Sequence, residues 1–346
     1  MNRLPVVFLA LSSLGLSGTA EPRGPRDPIK VFILAGQSNM EGKAKVSLLE
    51  YQLGQPGTKE QFAHLRKGGE WVERDDVWIK FLDHKGNLTV GYGSPKCLGP
   101  ELEFGNVVGD HYDEQVLIIK TAWGGKSLYR DFRPPSAGLP ETAVLEQLLE
   151  NDQKRKPETT IEEVRESFGR FYREMLAEVA GTLENLEEHF PAYDGQGYEI
   201  AGFVWFQGWN DMIDADYTAE YADNMAHFIT DVRRDLGVED LPFVIGQFGV
   251  GGPETGNEKH QAFKDAQAAA AQRSEFRGNV AVVKTDAFWD EAAQAVFDKG
   301  WKDNIEEWNT VGSDYPYHYL GSVRTYSGIG KAFGVATLAL CAGHER

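Results

Sequence analysis

Val31-Phe32-Ile33-Leu34-Ala35-Gly36-Gln37-Ser38-Asn39 is the stretch on which the reading of this chain turns. Val31 to Leu34 is a short run of β-branched, aromatic and aliphatic side chains, the pattern of a strand buried on both faces. Gly36 lets the backbone turn sharply. The turn delivers Ser38 to the C-terminal edge of a parallel sheet, where open α/β folds keep their ligand crevice. Two roles fit a serine there: a nucleophile, or a turn residue that caps the following helix.

Four more apolar runs repeat the pattern, at 116–119, 200–206, 243–245 and 280–283. Helical patterns separate them, at 101–112, 160–189, 217–236, 258–273 and 326–340. In the longest, Phe168, Phe171, Tyr172, Met175, Leu176, Val179 and Leu183 fall on one face. Gly237 and Pro191 stand where helices stop. Strand–helix alternation predicts an α/β fold. The expected architecture is a three-layer α/β/α sandwich with a flavodoxin-like parallel sheet of about five strands. One domain is expected over 30–342, with insertions at 43–99 and 129–156. Both insertions leave the sheet's C-terminal edge, where they would wall a substrate cleft.

Of the 346 residues, 41% are hydrophobic, enough for a full core, and the formal net charge is −18. Such acidity repels nucleic acid and anionic membrane surfaces, so neither is an expected partner. A neutral or weakly charged substrate fits better. Arg3, an apolar stretch over 4–16 and Gly18-Thr19-Ala20 form the three parts of a signal peptide, 1–20, cleaved after Ala20. A polar linker, 21–29, follows. The apolar stretch is too short to span a bilayer, so the expected destination is periplasmic or extracellular. Cys97 and Cys341 fall near opposite sheet edges in this topology, so no disulfide is expected. Neither has metal or redox spacing.

A serine nucleophile needs a base, a group that orients the base, and donors for the oxyanion. The exits of the predicted strands offer candidates. After the second strand, Trp123-Gly124-Gly125 leaves backbone N–H groups accessible, as a plain glycine turn also would. After the third come Gln207 and Asn210, two side-chain amides, with Trp209 between them. Trp205 and Trp209 offer faces that suit sugar rings, and Gln37, Asn39, Trp123 and Trp209 are expected to line the cleft. Before the last helix, Ser313-Asp314-Tyr315-Pro316-Tyr317-His318 supplies a loop histidine as base, with Asp314 four residues earlier to hold its tautomer.

Ile33-Leu34-Ala35-Gly36-Gln37-Ser38-Asn39-Met40-Glu41-Gly42 resembles the first block of the SGNH-hydrolase superfamily, in particular that of the sialate O-acetylesterase-like carbohydrate esterases. Gly99-Pro100-Glu101-Leu102-Glu103-Phe104-Gly105 is similar to a G-P-E-L-x-F-G segment of that family. Ala122-Trp123-Gly124-Gly125-Lys126-Ser127-Leu128 resembles its second block, and Trp205-Phe206-Gln207-Gly208 its third. The resemblance runs from residue 30 to about 340. It implies that Ser38 attacks an acetyl ester, that His318 accepts the serine proton, and that an acyl-enzyme forms. It also implies an oxyanion hole from the N–H groups of Ser38 and Gly125 with a third-block amide. Metal and cofactor are not required.

Two departures stand out. Trp209 occupies a place where these esterases usually carry glutamate, while Gly208-Trp209-Asn210-Asp211 fits the G-x-N-D block of the wider superfamily. Gln207 and Asn210 therefore compete for the amide role, and the nearer relatives favour Gln207. The usual acid–histidine spacing, D-x-x-H, is here D-x-x-x-H, so Asp286 or a backbone carbonyl are alternatives to Asp314. The expected activity is an exported serine esterase that removes O-acetyl groups from carbohydrates, either polysaccharide or sialic acid. The alternatives are a same-fold esterase for a non-sugar ester and a non-catalytic carbohydrate-binding relative. No G-x-S-x-G elbow occurs, which disfavours an α/β-hydrolase.

Overall fold

A computed structural model describes residues 27–344. The signal-peptide reading and residues 21–26 of the linker lie outside the described residues. The central sheet has seven strands: β1 (Ile29–Gly36), β2 (Arg74–Phe81), β3 (His84–Leu88), β4 (Val116–Ala122), β5 (Tyr198–Phe206), β6 (Phe243–Gln247) and β7 (Val280–Lys284). Their spatial order is β7-β6-β5-β1-β4-β2-β3. Every neighbouring pair is parallel except β2 and β3. The five apolar runs are β1, β4, β5, β6 and β7. Taken alone they lie in the flavodoxin-like order, which reverses direction between β1 and β5.

Helices cover both faces. On one side lie α1 (Glu101–Gly109) and α5 (Val323–His344). Phe104 of α1 meets Phe32 at 5.6 Å between ring centroids, and Phe333 of α5 meets Phe206 at 5.3 Å. On the other lie α2 (Arg170–Glu184), α3 (Ala215–Leu236) and α4 (Glu258–Ala271). There Phe228 of α3 packs on Trp205 at 4.5 Å, and Phe263 of α4 on Tyr221 at 4.6 Å. Trp205 and Phe206 thus face opposite layers, as successive strand residues must. Among the described residues no helix is long and apolar enough to cross a membrane.

Two readings of the sequence need correction. The insertion 43–99 does more than border a cleft: its β2–β3 hairpin extends the sheet, and β2 pairs with β4 from Val77↔Val116 onward. The helix expected over 160–189 is three pieces, Ile161–Ser167, α2 and Leu186–His189. Gly169, at φ +67, breaks it, and a side chain there would meet the Arg133 carbonyl at 2.5 Å. The Gly169 and Phe171 N–H groups donate to the Arg130 and Asp131 carbonyls (2.8 and 2.9 Å), which binds the start of α2 to the other insertion. This second insertion is also tied to α3 through Arg133–Glu220 and through the Ser136 N–H on Asp231.

Candidate active site

The ends of β1, β4 and β5 come level, since Gly36 pairs with Ala122 on one side and Phe206 on the other. Gly36 is required here by closeness: a Cβ would sit 2.1 Å from the Phe206 carbonyl oxygen. Ser38 follows as the first residue of the short helix Ser38–Glu41. Its N–H therefore has no intrahelical acceptor. The Ser38 side chain does not cap that helix, because Gln37 holds the N-cap position.

Hydrogen bonds weld the loop after β1 to the loop after β5. The Gly208 N–H donates to Gln37 Oε1 (3.1 Å), which fixes the orientation of the Gln37 amide. Gln37 Nε2 then donates to Asn210 Oδ1 (3.3 Å). This fixes Asn210 in turn, leaving its Nδ2 without an acceptor among the described residues. Gln207 is oriented the opposite way. Its Nε2 donates to the Lys126 carbonyl (2.9 Å) and to Asp211 Oδ2 (2.5 Å), so both amide hydrogens are committed. Gln207, preferred from the sequence as oxyanion donor, is thus buried with both amide hydrogens engaged, whereas the Asn210 amide is uncommitted among the described residues.

Asp211, given no role in the sequence reading, organises the loop after β4. Its carboxylate accepts the N–H groups of Leu128 and Tyr129, each at 2.9 Å. Burial pushes this carboxyl up to about 7, against the lowering by Gln207 and the two backbone donors. In the loop so held, Gly124 and Gly125 are exposed, and Gly125 takes the left-handed φ of +72 with open space around it. Trp123 is half-buried against Phe132 and Phe171, while its N–H donates to the Gly36 carbonyl.

Asn39 joins the Ser38 turn to the histidine loop. Its Nδ2 donates to the Tyr317 carbonyl (3.1 Å), and its Oδ1 accepts from the buried Tyr326 hydroxyl (2.8 Å). Ser38 and His318 are each next in sequence to one member of the Asn39–Tyr317 bond. Gln37 and Asn39 were expected to line the cleft. The structure commits both amides to holding loops together. Trp209 is half-buried, 5.5 Å from the Tyr317 ring.

His318 Nδ1 lies 3.2 Å from Asp314 Oδ1, an ion-pair distance without the alignment of a good hydrogen bond. Catalytic hydrogen bonds are often loose before substrate binds. Burial raises the Asp314 carboxyl, but His318 and the Tyr315 N–H pull it lower, and the net direction is down. Beyond His318 the backbone turns left-handed. Tyr319 and Leu320 adopt φ of +50 and +59, and Gly321 follows at +57. This left-handed turn folds back so that the Ser313 and Asp314 N–H groups both donate to the Leu320 carbonyl (2.8 and 3.1 Å). Asp286 is bound elsewhere, to Lys264 at 2.7 Å. Of the two acids considered, Asp314 is the one beside the imidazole.

Lys120 was also missed. Fully buried in β4, its ammonium donates to the carbonyls of Glu41 (2.8 Å) and Tyr92 (2.6 Å) and to Glu101 Oε2 (2.7 Å). Burial pushes the Lys120 ammonium down, against the pull of Glu101. The pair anchors the C-terminal end of the helix that begins at Ser38. A lysine closing an apolar strand, with a glutamate in the Gly-Pro-Glu segment, was the available signal. Among the described residues, no cluster of three His, Cys, Asp or Glu side chains is placed to hold a metal ion.

Known proteins share the family and the fold. The family model described as carbohydrate esterase, sialic acid-specific acetylesterase, matches residues 28–298. The match stops short of the Asp314–His318 loop, so the place of His318 rests on geometry. A protein from Arabidopsis thaliana has a similar fold, with TM-score 0.51 and 17% identity over 90% of this chain and 98% of that one. A carbohydrate acetylesterase from Xanthomonas citri gives TM-score 0.50 and 13% identity, over 90% of this chain and 57% of that one. No curated protein matches.

Proposed function

The chain belongs to the carbohydrate esterase family of sialic acid-specific acetylesterases, and is thus a carbohydrate O-acetylesterase; on that premise we propose that it works through an acetyl-enzyme on Ser38. His318 takes the Ser38 proton as Oγ attacks the ester carbonyl, and returns it to the leaving sugar hydroxyl. Asp314 holds the imidazole and favours its charged form. The Ser38 and Gly125 N–H groups and Asn210 Nδ2 receive the developing oxyanion. Water, activated by His318, then releases acetate and restores the serine.

The observation that carries this reading is the Asn39–Tyr317 bond, which brings together loops about 280 residues apart in the chain, one bearing Ser38 and the other His318. The apolar segment and small-residue site before Ala20 support export to the periplasm or beyond, with residues 30–342 as one esterase domain. Acetate release from acetylated sugars tests the mechanism. Ser38→Ala and His318→Ala should both abolish it in folded protein. A His318→Ala variant with substantial turnover would remove the histidine from the mechanism.

A further inference from the structure

The loop that carries His318 also carries two tyrosines that no step of the mechanism uses. Tyr315 and Tyr317 are 44% and 36% exposed, unusual for neighbouring aromatic rings on one loop. Their rings are parallel, 7° apart, with centroids separated by 5.4 Å. That separation exceeds the thickness of a stacked pair, so the rings are offset and each leaves part of a face uncovered. The line continues at both ends. Trp209, at the cleft, lies 5.5 Å from Tyr317, and Trp301 stands edge-on to Tyr315 at 5.9 Å. Trp301 is itself backed by the buried Trp308. Tyr317 touches the His318 ring at 4.5 Å, so the line starts at the reacting centre.

We infer that Trp209, Tyr317, Tyr315 and Trp301 form a track that binds the sugar units flanking the acetylated one, in an uncharged oligosaccharide or polysaccharide. Steps of 5.4 to 5.9 Å between rings are close to the length of one sugar unit in a β-linked glycan. The C–H face of a pyranose packs on an aromatic ring without needing a charge. Charge argues for a neutral ligand. The chain carries a formal −18, and Asp314 adjoins the track. The lysines following the glycines of the first two blocks are both engaged with carboxylates, Lys43 with Glu41 at 3.1 Å and Lys126 with Asp131 at 3.8 Å. Neither of these two offers an unpaired ammonium to an anionic sugar.

This inference rests on the esterase reading above, and the test separates the two. The probes are chemically O-acetylated glucose, cellobiose and cellotetraose, with O-acetyl sialic acid as the anionic comparison. Wild-type kcat/KM should rise roughly tenfold from glucose to cellotetraose, about 1.4 kcal/mol. Tyr315→Ala should erase most of that gain, and Tyr315→Phe, which keeps the ring, should retain it. Calorimetry with Ser38→Ala protein should detect unacetylated cellotetraose. Equal rates at every chain length, an unchanged gain in Tyr315→Ala, or a preference for O-acetyl sialic acid over the tetrasaccharide would each overturn the track. Those results would leave the esterase intact. Conversely, cellotetraose binding by a Ser38→Ala protein that still releases acetate would sink the Ser38 mechanism and keep the track.

Discussion

Asn39→Ala is the substitution that probes most deeply how the site is assembled. It removes the donor to the Tyr317 carbonyl and the acceptor for the Tyr326 hydroxyl. A buried polar group left unpaired costs roughly 1–3 kcal/mol. The Tyr326 hydroxyl has a fallback, the His318 carbonyl at 3.4 Å, and the Tyr317 carbonyl lies on an exposed rim residue. The loss of stability should therefore be near the low end, about 2 kcal/mol. For a chain of this size that is a fall in Tm of roughly 3 °C. The effect on turnover should be larger. The loop beyond His318 holds Tyr319 and Leu320 left-handed, at about 1–2 kcal/mol each. That strain is comparable to what the Asn39 tether supplies, so without it the loop can relax and carry His318 away. A displacement of about 1 Å in a positioned group costs on the order of a hundredfold in rate. Steady-state kinetics with p-nitrophenyl acetate and thermal melts measure both quantities. Tyr326→Phe, which spares the Asn39–Tyr317 bond, should lose much less activity. A folded Asn39→Ala enzyme with near-wild-type kcat would refute the tether.

Asn210→Ala should lower kcat by roughly 10²–10³ with little change in the urea midpoint, whereas Gln207→Ala should chiefly destabilise, because it takes a donor from the Lys126 carbonyl and from buried Asp211; the opposite ranking would return the donor role to Gln207. Gly36→Ala should fail to accumulate as folded enzyme, since its methyl would sit 2.1 Å from the Phe206 carbonyl; native-like circular dichroism and activity would contradict that crowding. Asp314 is held below the ordinary carboxyl value, so its contribution to stability is complete above the unfolded value and lost as pH falls through the lower, folded one. Urea midpoints of wild type and Asp314→Asn should accordingly differ at pH 7 and converge below about pH 4; a gap that persists at low pH would show that the carboxylate charge is not its source.

How much of this was legible in the sequence depended on the kind of signal. The inner core strands announce themselves because strands buried on both faces are almost wholly apolar, as 116–119 shows, and the partly buried edge strand β7 is apolar as well. The β2–β3 hairpin does not, because Arg74-Asp75-Asp76 opens an outer strand and masks Val77 to Ile79. The long helix was overextended because a one-sided apolar pattern passes through Gly169 undisturbed; only the approach of the Arg133 carbonyl shows why the chain must break there. At the site, the turn that carries Ser38 at the end of β1 was legible, but the different engagement of Gln207 and Asn210 was not. Both are amides at one strand exit. What separates them is a chain of hydrogen bonds through Gly208, Gln37 and Lys126. The extra residue between Asp314 and His318 was visible as a departure, and the left-handed turn beyond His318 that ties Leu320 back to Ser313 and Asp314 was not.

The central claim is that Ser38 carries the acetyl group. Rapid acid quench of the enzyme during turnover of p-nitrophenyl acetate, followed by peptide mass spectrometry, tests it directly. The account predicts one added acetyl group on the peptide containing Ser38, absent in Ser38→Ala. Acetate release by wild type with no acetylated Ser38 peptide, together with turnover by Ser38→Ala, would contradict it.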